Sequence, residues 1–547
     1  MAGQKFTIKI DSILGGIAPT AYLGRQDQFD SSLGIDPDQP MTAYSDFGVL
    51  MPTSYTAFDG DALNGTPYWL LTSPKGSTES LYVYTSTGKL ISYGTALTSA
   101  VEQTLAITGG TGGFAGRGGA YYNNYIYMAY GSSDTRNVAS DIARFGPLDS
   151  SATLQEAWWS STIAQIALSD TPYPQIESIE LPNHAMHVHN DGALYVSDFD
   201  STTTTSSTRG RGLIHKISTK ALGTDEGIDN NNSKYNALDL PYGYMPIDIE
   251  SYGTDLAILA IPQAGADGTN TTFRNAKAAL FFWDTVSLAP YRRVDLTDPA
   301  ASALLYTNGK LYIWSGSYTQ GTRLSVYLGG YQVEQLAFVP SGEMPFPGGV
   351  DALGNRVFWG SRTTYPANGS CVYAAGYKSL PGFALHNIIN TDGGGNAMVT
   401  SLGRIRQDSF NNTDLIYGWN DGNTNYGLDK RSSDNANTAV FRTKAYTVGE
   451  PFRIKKLTIL LGESVTLNQT LTVRFFESKD VNTNDPGTAE KTINATEFPS
   501  SERRIELATD FEGINDFILQ LKWTGTAQLP VLFPIVIEGE TLGQRTI

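Results

Sequence analysis

A single cysteine, Cys371, in 547 residues leaves no intrachain disulfide and reads as a protein finished in a reducing compartment. Charge is scarce too: Asp, Glu, Lys and Arg make up 17% of the chain, and the formal net charge is −16 without any long acidic run. An outer face that grips nucleic-acid phosphates needs Lys and Arg to displace counterions. Sequence-specific nucleic-acid binding is therefore not expected, while an acidic channel wall past which DNA slides without sticking stays open. No stretch approaches 18 apolar residues, so no membrane insertion is expected. The first ten residues lack the apolar core of an export signal and read as a short strand.

What is abundant is glycine and aromatic residues, with 56 Gly, 30 Tyr and 23 Phe. A turn-rich, aromatic-rich, charge-poor chain of this kind reads as all-β. One short phrase recurs: a polar turn with Gly or Asn, then Leu or Ile, then an aromatic. It stands at Asn124-Tyr125-Ile126-Tyr127, Gly192-Ala193-Leu194-Tyr195, Gly309-Lys310-Leu311-Tyr312 and Asn355-Arg356-Val357-Phe358. Weaker copies are Thr66-Pro67-Tyr68-Trp69, Thr254-Asp255-Leu256-Ala257 and Asp414-Leu415-Ile416-Tyr417. A mean step of roughly 58 residues between hairpins is the signature of a β-propeller, here of about seven blades. Asn123-Asn124, Asn190-Asp191-Gly192 and Asn308-Gly309 are suited to the positive φ of tight hairpins.

The chain divides on this pattern into three parts. Residues 1–40 hold one strand and a polar stretch, too little for a core, and are expected to form an N-terminal arm that packs on the next domain or reaches a neighbouring subunit. Residues 41–440 carry the propeller, with long loops expected at Ser201 to Ser207 and Asp225 to Lys234. Residues 441–547 read as a small antiparallel β-sandwich. In Phe517 to Trp523, for example, Phe517, Leu519, Leu521 and Trp523 share one face, with Gln520 and Lys522 opposite. No long amphipathic helix is expected anywhere.

Candidates for chemistry are few. His184-Ala185-Met186-His187-Val188-His189 gathers three of the five histidines, with Asp198 and Asp200 nearby. On a strand His187 and His189 share a face and could both reach a metal ion, yet no third ligand is set by spacing, so blade packing or channel lining competes with metal binding. The glycine run from Gly109 to Gly119 leads into β-formers rather than a helix N-terminus, which a dinucleotide fingerprint requires, so it reads as a connection between strands. Trp158 and Trp159 are candidates for stacking on a glycan, whereas Trp314, Trp359 and Trp419 follow the hairpin phrase closely and read as core. No nucleophile elbow, zinc helix, phosphate loop or EF-hand loop is present. Cys371 has no catalytic setting, and no catalytic residue or cofactor is expected. A carboxylate pair converging at a propeller mouth to cut a glycoside remains open, because sequence does not place it.

Three stretches carry a family likeness. Asp11-Ser12-Ile13-Leu14-Gly15-Gly16-Ile17, Pro451-Phe452-Arg453-Ile454-Lys455-Lys456-Leu457 and Leu529 to Glu538, with the propeller-then-sandwich layout, resemble virion proteins of tailed bacteriophages. The resemblance covers both ends and the order of parts; the middle matches only as a generic propeller. It implies a non-enzymatic structural component of the tail or a tail-attached assembly, in the virion after assembly in the host cytoplasm. Its partners would be other virion proteins and copies of itself. The alternative is a glycan-binding or glycan-cleaving propeller, a receptor-binding or depolymerase spike whose partner is a host surface glycan. A secreted bacterial adhesion propeller is a third reading, for which the missing export signal is the difficulty.

Overall fold

The computed structural model of the protein describes residues 3–12, 16–18, 27–36, 49–52, 54–59, 63–75, 78–94, 97, 100–105, 114–131, 140–156, 158, 184–200, 211–218, 234–262, 277–317, 321–339, 344–363, 369–377, 380–388, 398–406, 413–421, 425–432, 438–477, 491–498, 502–525 and 529–542. Among them the one helical turn of three residues or more is a short 3-10 turn, Pro347–Gly349; nearly everything else regular is strand. The Thr-rich tract, most of the segment from Asp225 and the first half of the glycine run lie outside the described residues.

The hairpin phrases mark seven meanders of four antiparallel strands; six are separate four-stranded sheets, and the sixth in sequence is the start of a ten-stranded sheet that continues through Ile35–Asp36 and Val49–Pro52 to Val531–Thr541. The first is Pro67–Lys75, Thr78–Thr85, Lys89–Tyr93 and Ala100–Thr104, and the second Phe114–Tyr122, Tyr125–Gly131, Ser140–Gly146 and Thr153–Gln155. The third is Met186–Val188, Leu194–Asp200, Arg211–Ile217 and Lys234–Asp239; the fourth Tyr244–Tyr252, Asp255–Pro262, Ala279–Trp283 and Arg292–Asp295. The fifth is Ala300–Thr307, Lys310–Ser317, Gly321–Gly329 and Gln332–Val339, and the sixth Val350–Leu353, Arg356–Thr363, Gly369–Tyr377 and Leu380–Ile388. The seventh, Met398–Arg406, Thr413–Asn420 and Tyr426–Ser432, takes its fourth strand from the other end of the repeat, Ser54–Asp59. Six phrases open the second strand of a meander. The exception is Thr66-Pro67-Tyr68-Trp69, which opens a first strand; its true counterpart is Leu81-Tyr82-Val83-Tyr84 within Thr78–Thr85.

The phrase recurs because a propeller strand has two interiors. Strand side chains alternate between faces, and each face here meets a different neighbouring sheet. Leu194 and Val196 enter a core shared with the second meander, while Tyr195, between them, enters the core shared with the fourth. Leu256 and Ile258 likewise pack toward the third meander, and Ala257 and Leu259 toward the fifth. Ile126 and Met128 face the first meander, and Tyr125 and Tyr127 the third. An aliphatic next to an aromatic is thus one residue for each core. The turns behave as their residues predict: Asn123 and Asn124 have φ of 44° and 68°, and Asn308 and Gly309 52° and 74°, the double positive φ of a type I′ hairpin.

By compactness the chain forms two units, one of residues 57–352 and 399–429, the other of 1–56, 353–398 and 430–547. In the first, the opening strands stand side by side in order, from Pro67–Lys75 to Phe114–Tyr122, Met186–Val188, Tyr244–Tyr252 and Ala300–Thr307. The turn Pro347–Gly349 packs against both Ala300–Thr307 and Pro67–Lys75, which returns the succession to its start. Thr400 and Ser401 hydroxyls reinforce that closure by donating to Pro67 O at 2.7 and 2.6 Å.

In the second unit the linear order of arm, repeat and sandwich is interleaved. Lys5–Ile10, expected as part of a separate arm, pairs antiparallel with Val531–Thr541, from Lys5 opposite Glu540 to Ile10 opposite Ile535. Val531–Thr541 in turn pairs with Phe452–Leu461, and that strand with Arg504–Gly513. The other sheet runs Gly16–Ile17, Gln28–Leu33, Thr438–Thr443, Asp516–Gly525, Gln469–Phe476 and Lys491–Asn494. Phe6, Ile8, Ile10 and Phe29 join Phe517, Leu519, Leu521 and Trp523 in one core. Ile10 is buried in that core, a gain of roughly 1.5–3 kcal/mol for a fully buried side chain, while Phe6 and Ile8 are partly buried against it. Gln520, on the opposite face, accepts from the buried Arg442 guanidinium at 2.6 Å.

Candidate functional site

The histidine-rich run enters the third meander and meets the first strand of the fourth. His189 Nε2 lies 3.2 Å from Thr254 O, so that nitrogen carries the proton and Nδ1 accepts. Its acceptor site faces Ser251 Oγ at 2.9 Å. Ser251 Oγ is also 2.7 Å from His187 Nε2. His187 Nε2 accepts from Ser251 N at 3.1 Å, so the Ser251 hydroxyl bridges two ring nitrogens, His187 Nε2 and His189 Nδ1, while His189 Nε2–H donates to Thr254 O. Ser251 N also donates to Glu250 Oε1 at 3.0 Å.

The two histidines predicted as metal candidates are therefore brought together, but around a hydroxyl. Ser251 occupies the position between the rings that an ion would need, and both nitrogens of His189 are engaged. Among the described residues no three His, Cys, Asp or Glu side chains converge on a metal position. His184 turns away: it is buried, and its Nδ1 donates to Ser197 O at 3.0 Å. Asp198, also buried, accepts from His215 Nε2 at 3.0 Å and from Phe199 N at 2.7 Å, while His215 Nδ1 accepts from Asn236 N at 2.9 Å. The side chain of Asp200 lies outside the described residues.

The tryptophans resolve differently. Trp158 does not offer a sugar-stacking face: it is 4% exposed, meets Tyr127 edge-on at 5.2 Å and lies under the Arg144 guanidinium at 4.8 Å. Trp159 lies outside the described residues. Trp314, Trp359 and Trp419 are buried. Cys371 is fully buried, and burial pushes its thiol up, away from the reactive thiolate.

Sequence reasoning missed two carboxyls on Tyr244–Tyr252. Asp248 and Glu250 are two apart, so they share a strand face with Cα atoms about 6.6 Å apart. Burial pushes Asp248 up to about 7, even though Leu304 N at 2.6 Å and Ile249 N at 2.9 Å donate to it. Glu250 is pushed up to about 8 by burial and then by the Asp248 charge, against donors from Ser251 and Tyr306 backbone. Its Oε1 is 3.4 Å from His187 Nε2, and burial, with the neighbouring His189, holds His187 down to about 4. The recess is not fully closed, for the His187 and Glu250 side chains keep 20% and 17% of their surface. A third first-strand acid, Asp351, is likewise pushed up by burial, countered by Arg404 at 2.9 Å. The alternation in Ile247-Asp248-Ile249-Glu250 was the available signal.

No protein-family model and no curated protein matches the chain. Among solved structures, it is similar to an exo-β-1,3-galactanase from Phanerochaete chrysosporium crystallised with β-1,3-galactotriose, at 8% identity, over 63% of this chain and 93% of that one, with a TM-score of 0.28. It is also similar to Raptor from Chaetomium thermophilum, at 11% identity over 70% of this chain, with a TM-score of 0.41; the match spans 30% of that longer protein.

Proposed function

We propose that the chain is a structural, non-enzymatic virion protein of a tailed bacteriophage, part of the tail or a tail-attached assembly, acting with other virion proteins and copies of itself. The observation that supports this reading is the weave of the second unit. Phe452–Leu461 and Val531–Thr541, which hold the C-terminal stretches that carry the likeness, are hydrogen-bonded neighbours, and Lys5–Ile10, which leads into the N-terminal stretch, pairs with Val531–Thr541. The two C-terminal stretches therefore lie side by side in one sheet, next to the strand that precedes the N-terminal one. The absorption of His187, His189 and Trp158 into packing leaves the reading without a competing site among those residues. Mass spectrometry of purified particles and native mass of the pure protein test it: a chain absent from particles and unable to assemble with itself or other virion proteins overturns it.

The second reading, a glycan-binding or glycan-cleaving propeller, is favoured by Asp248 and Glu250. A carboxyl kept protonated near neutral pH beside a second carboxyl meets a condition for general-acid cleavage of a glycoside. A glycan array with a reducing-sugar assay on the wild type and Glu250→Gln tests it; no binding and no released sugar on host surface glycans removes this reading.

A further inference from the structure

Lys5–Ile10 is held to the sandwich along a single line. Among the described residues its one strand partner is Val531–Thr541, which keeps Phe452–Leu461 on its other side and Val49–Pro52 against its first two residues. Lifting the segment away breaks one ladder and uncovers one edge.

That edge is shaped for one sequence. Phe6 stands opposite Gly539, where any Cβ would run into the Phe6 ring, and it meets Phe452 edge-on at 6.0 Å. Phe6 and Ile8 pack against the sandwich core and Ile10 is buried in it, whereas Lys5, Thr7 and Lys9 are exposed. A slip of one residue would reverse these faces and take the phenylalanine off its glycine, so the register is fixed. Backbone bonding continues past the strand, Thr541 N donating to Gln4 O at 2.9 Å. The occupant of this edge is therefore a known sequence, residues 4–10 of this chain.

Charge favours a second source for it. Residues 3–10 hold Lys5 and Lys9 and no acid, in a chain whose net charge is −16. Across the ladder Lys5 faces Glu540 and Thr7 faces Glu538. A basic segment is drawn to an acidic copy of its own chain, and the contacts it makes there are those it makes at home. Exchange of an identical element between copies is for this reason a low-cost route to association. Proximity holds the segment at home, with an effective concentration on the order of millimolar, and copies packed side by side in an assembly reach that density.

We propose that Lys5–Ile10 is an exchangeable strand, which in the assembled form leaves its own sandwich and pairs with Val531–Thr541 of a second copy. The setting rests on the assembly reading above. The exchange itself is read on the full chain in solution, so its failure and absence from particles are separate results.

Two versions of the chain, one with Thr7→Cys and the other with Glu538→Cys and a tag that alters its size, are co-expressed, concentrated and oxidised. Cys371 is fully buried and stays out of the reaction. Non-reducing electrophoresis is expected to show a covalent heterodimer several-fold above that from Thr7→Cys with Leu467→Cys, an exposed position outside the ladder. Phe6→Ala adds a readout by its sign. In the chain with Thr7→Cys it weakens the donor and lowers the yield; in the chain with Glu538→Cys it loosens that copy's own segment, vacates the edge and raises the yield. A heterodimer no more abundant than the control, while a chain with both cysteine substitutions closes its bond internally, overturns the proposal. So does a yield that Phe6→Ala moves the same way from either side. A doubly substituted chain that closes no bond at all overturns it too, because the ladder itself would then be wrong.

Discussion

Glu250 holds its carboxyl 3.4 Å from the His187 imidazole in a recess where burial disfavours charge on both. With Glu250 pushed up to about 8 and His187 held down to about 4, the pair carries one proton across the range between. That proton sits on the acid, so both groups are neutral.

This sets a pH dependence of opposite sign on the two sides. A raised acid binds its proton more tightly folded than unfolded, so Glu250 contributes most at low pH and its contribution is lost as pH rises from the ordinary glutamate range through about 8. A lowered histidine contributes above its unfolded value and loses that contribution as pH falls toward about 4. Glu250→Gln is therefore expected to match the wild type at pH 5 and to exceed it at pH 9 by on the order of 2–4 kcal/mol. Denaturant titrations at the two pH values check this; equal gains at both sink it.

Ser251→Ala removes the hydroxyl that His187 and His189 share. A buried partner left unmatched costs about 1–3 kcal/mol, and the loss is expected to appear as a lower thermal midpoint. Ser251→Thr keeps the hydroxyl and should recover part of it. A variant as stable as the wild type would show that the bridge contributes nothing.

Trp158→Ala opens a cavity against Tyr127 and Arg144. A loss of about 3–5 kcal/mol is expected, with any glycan binding by the folded protein unchanged. Glycan affinity that falls while stability holds would place the ring at a surface after all.

Removing Lys5–Ile10 uncovers the edge of Val531–Thr541 and takes Phe6, Ile8 and Ile10 out of the sandwich core. An unprotected edge strand templates pairing with other chains, so the truncated protein is expected to aggregate, as light scattering would report. Ile10→Ala alone should cost about 2–5 kcal/mol. A soluble, fully stable truncation contradicts the pairing.

Most of the architecture was legible because a hairpin is local: its turn residues and alternation lie within a dozen positions of one another. The misplaced copy at Thr66 to Trp69 shows where that ends. First and second strands of a blade share the same alternation, and Trp69 and Leu71 pack into the core between the first and second meanders as Tyr82 and Tyr84 do, so pattern alone does not order them. The candidate site was half legible. Clustering singled out His187 and His189, but Ser251, the group between them, is 62 residues beyond His189 in the chain.

By itself the sequence determined the all-β class, the succession of hairpins, the turns at Asn123-Asn124 and Asn308-Gly309 and the strands of the sandwich, since each depends on neighbours in the chain. Only the tertiary structure decided that Lys5–Ile10 belongs beside Val531–Thr541, that Ser54–Asp59 completes the last meander, and that Asp248 and Glu250 resist ionisation. Strand partners are chosen by which apolar faces remain uncovered, and a carboxyl's proton affinity by how much water reaches it. Both depend on segments distant in the chain being brought into contact, hundreds of residues apart for Lys5–Ile10 and 56 for Asp248 and Leu304.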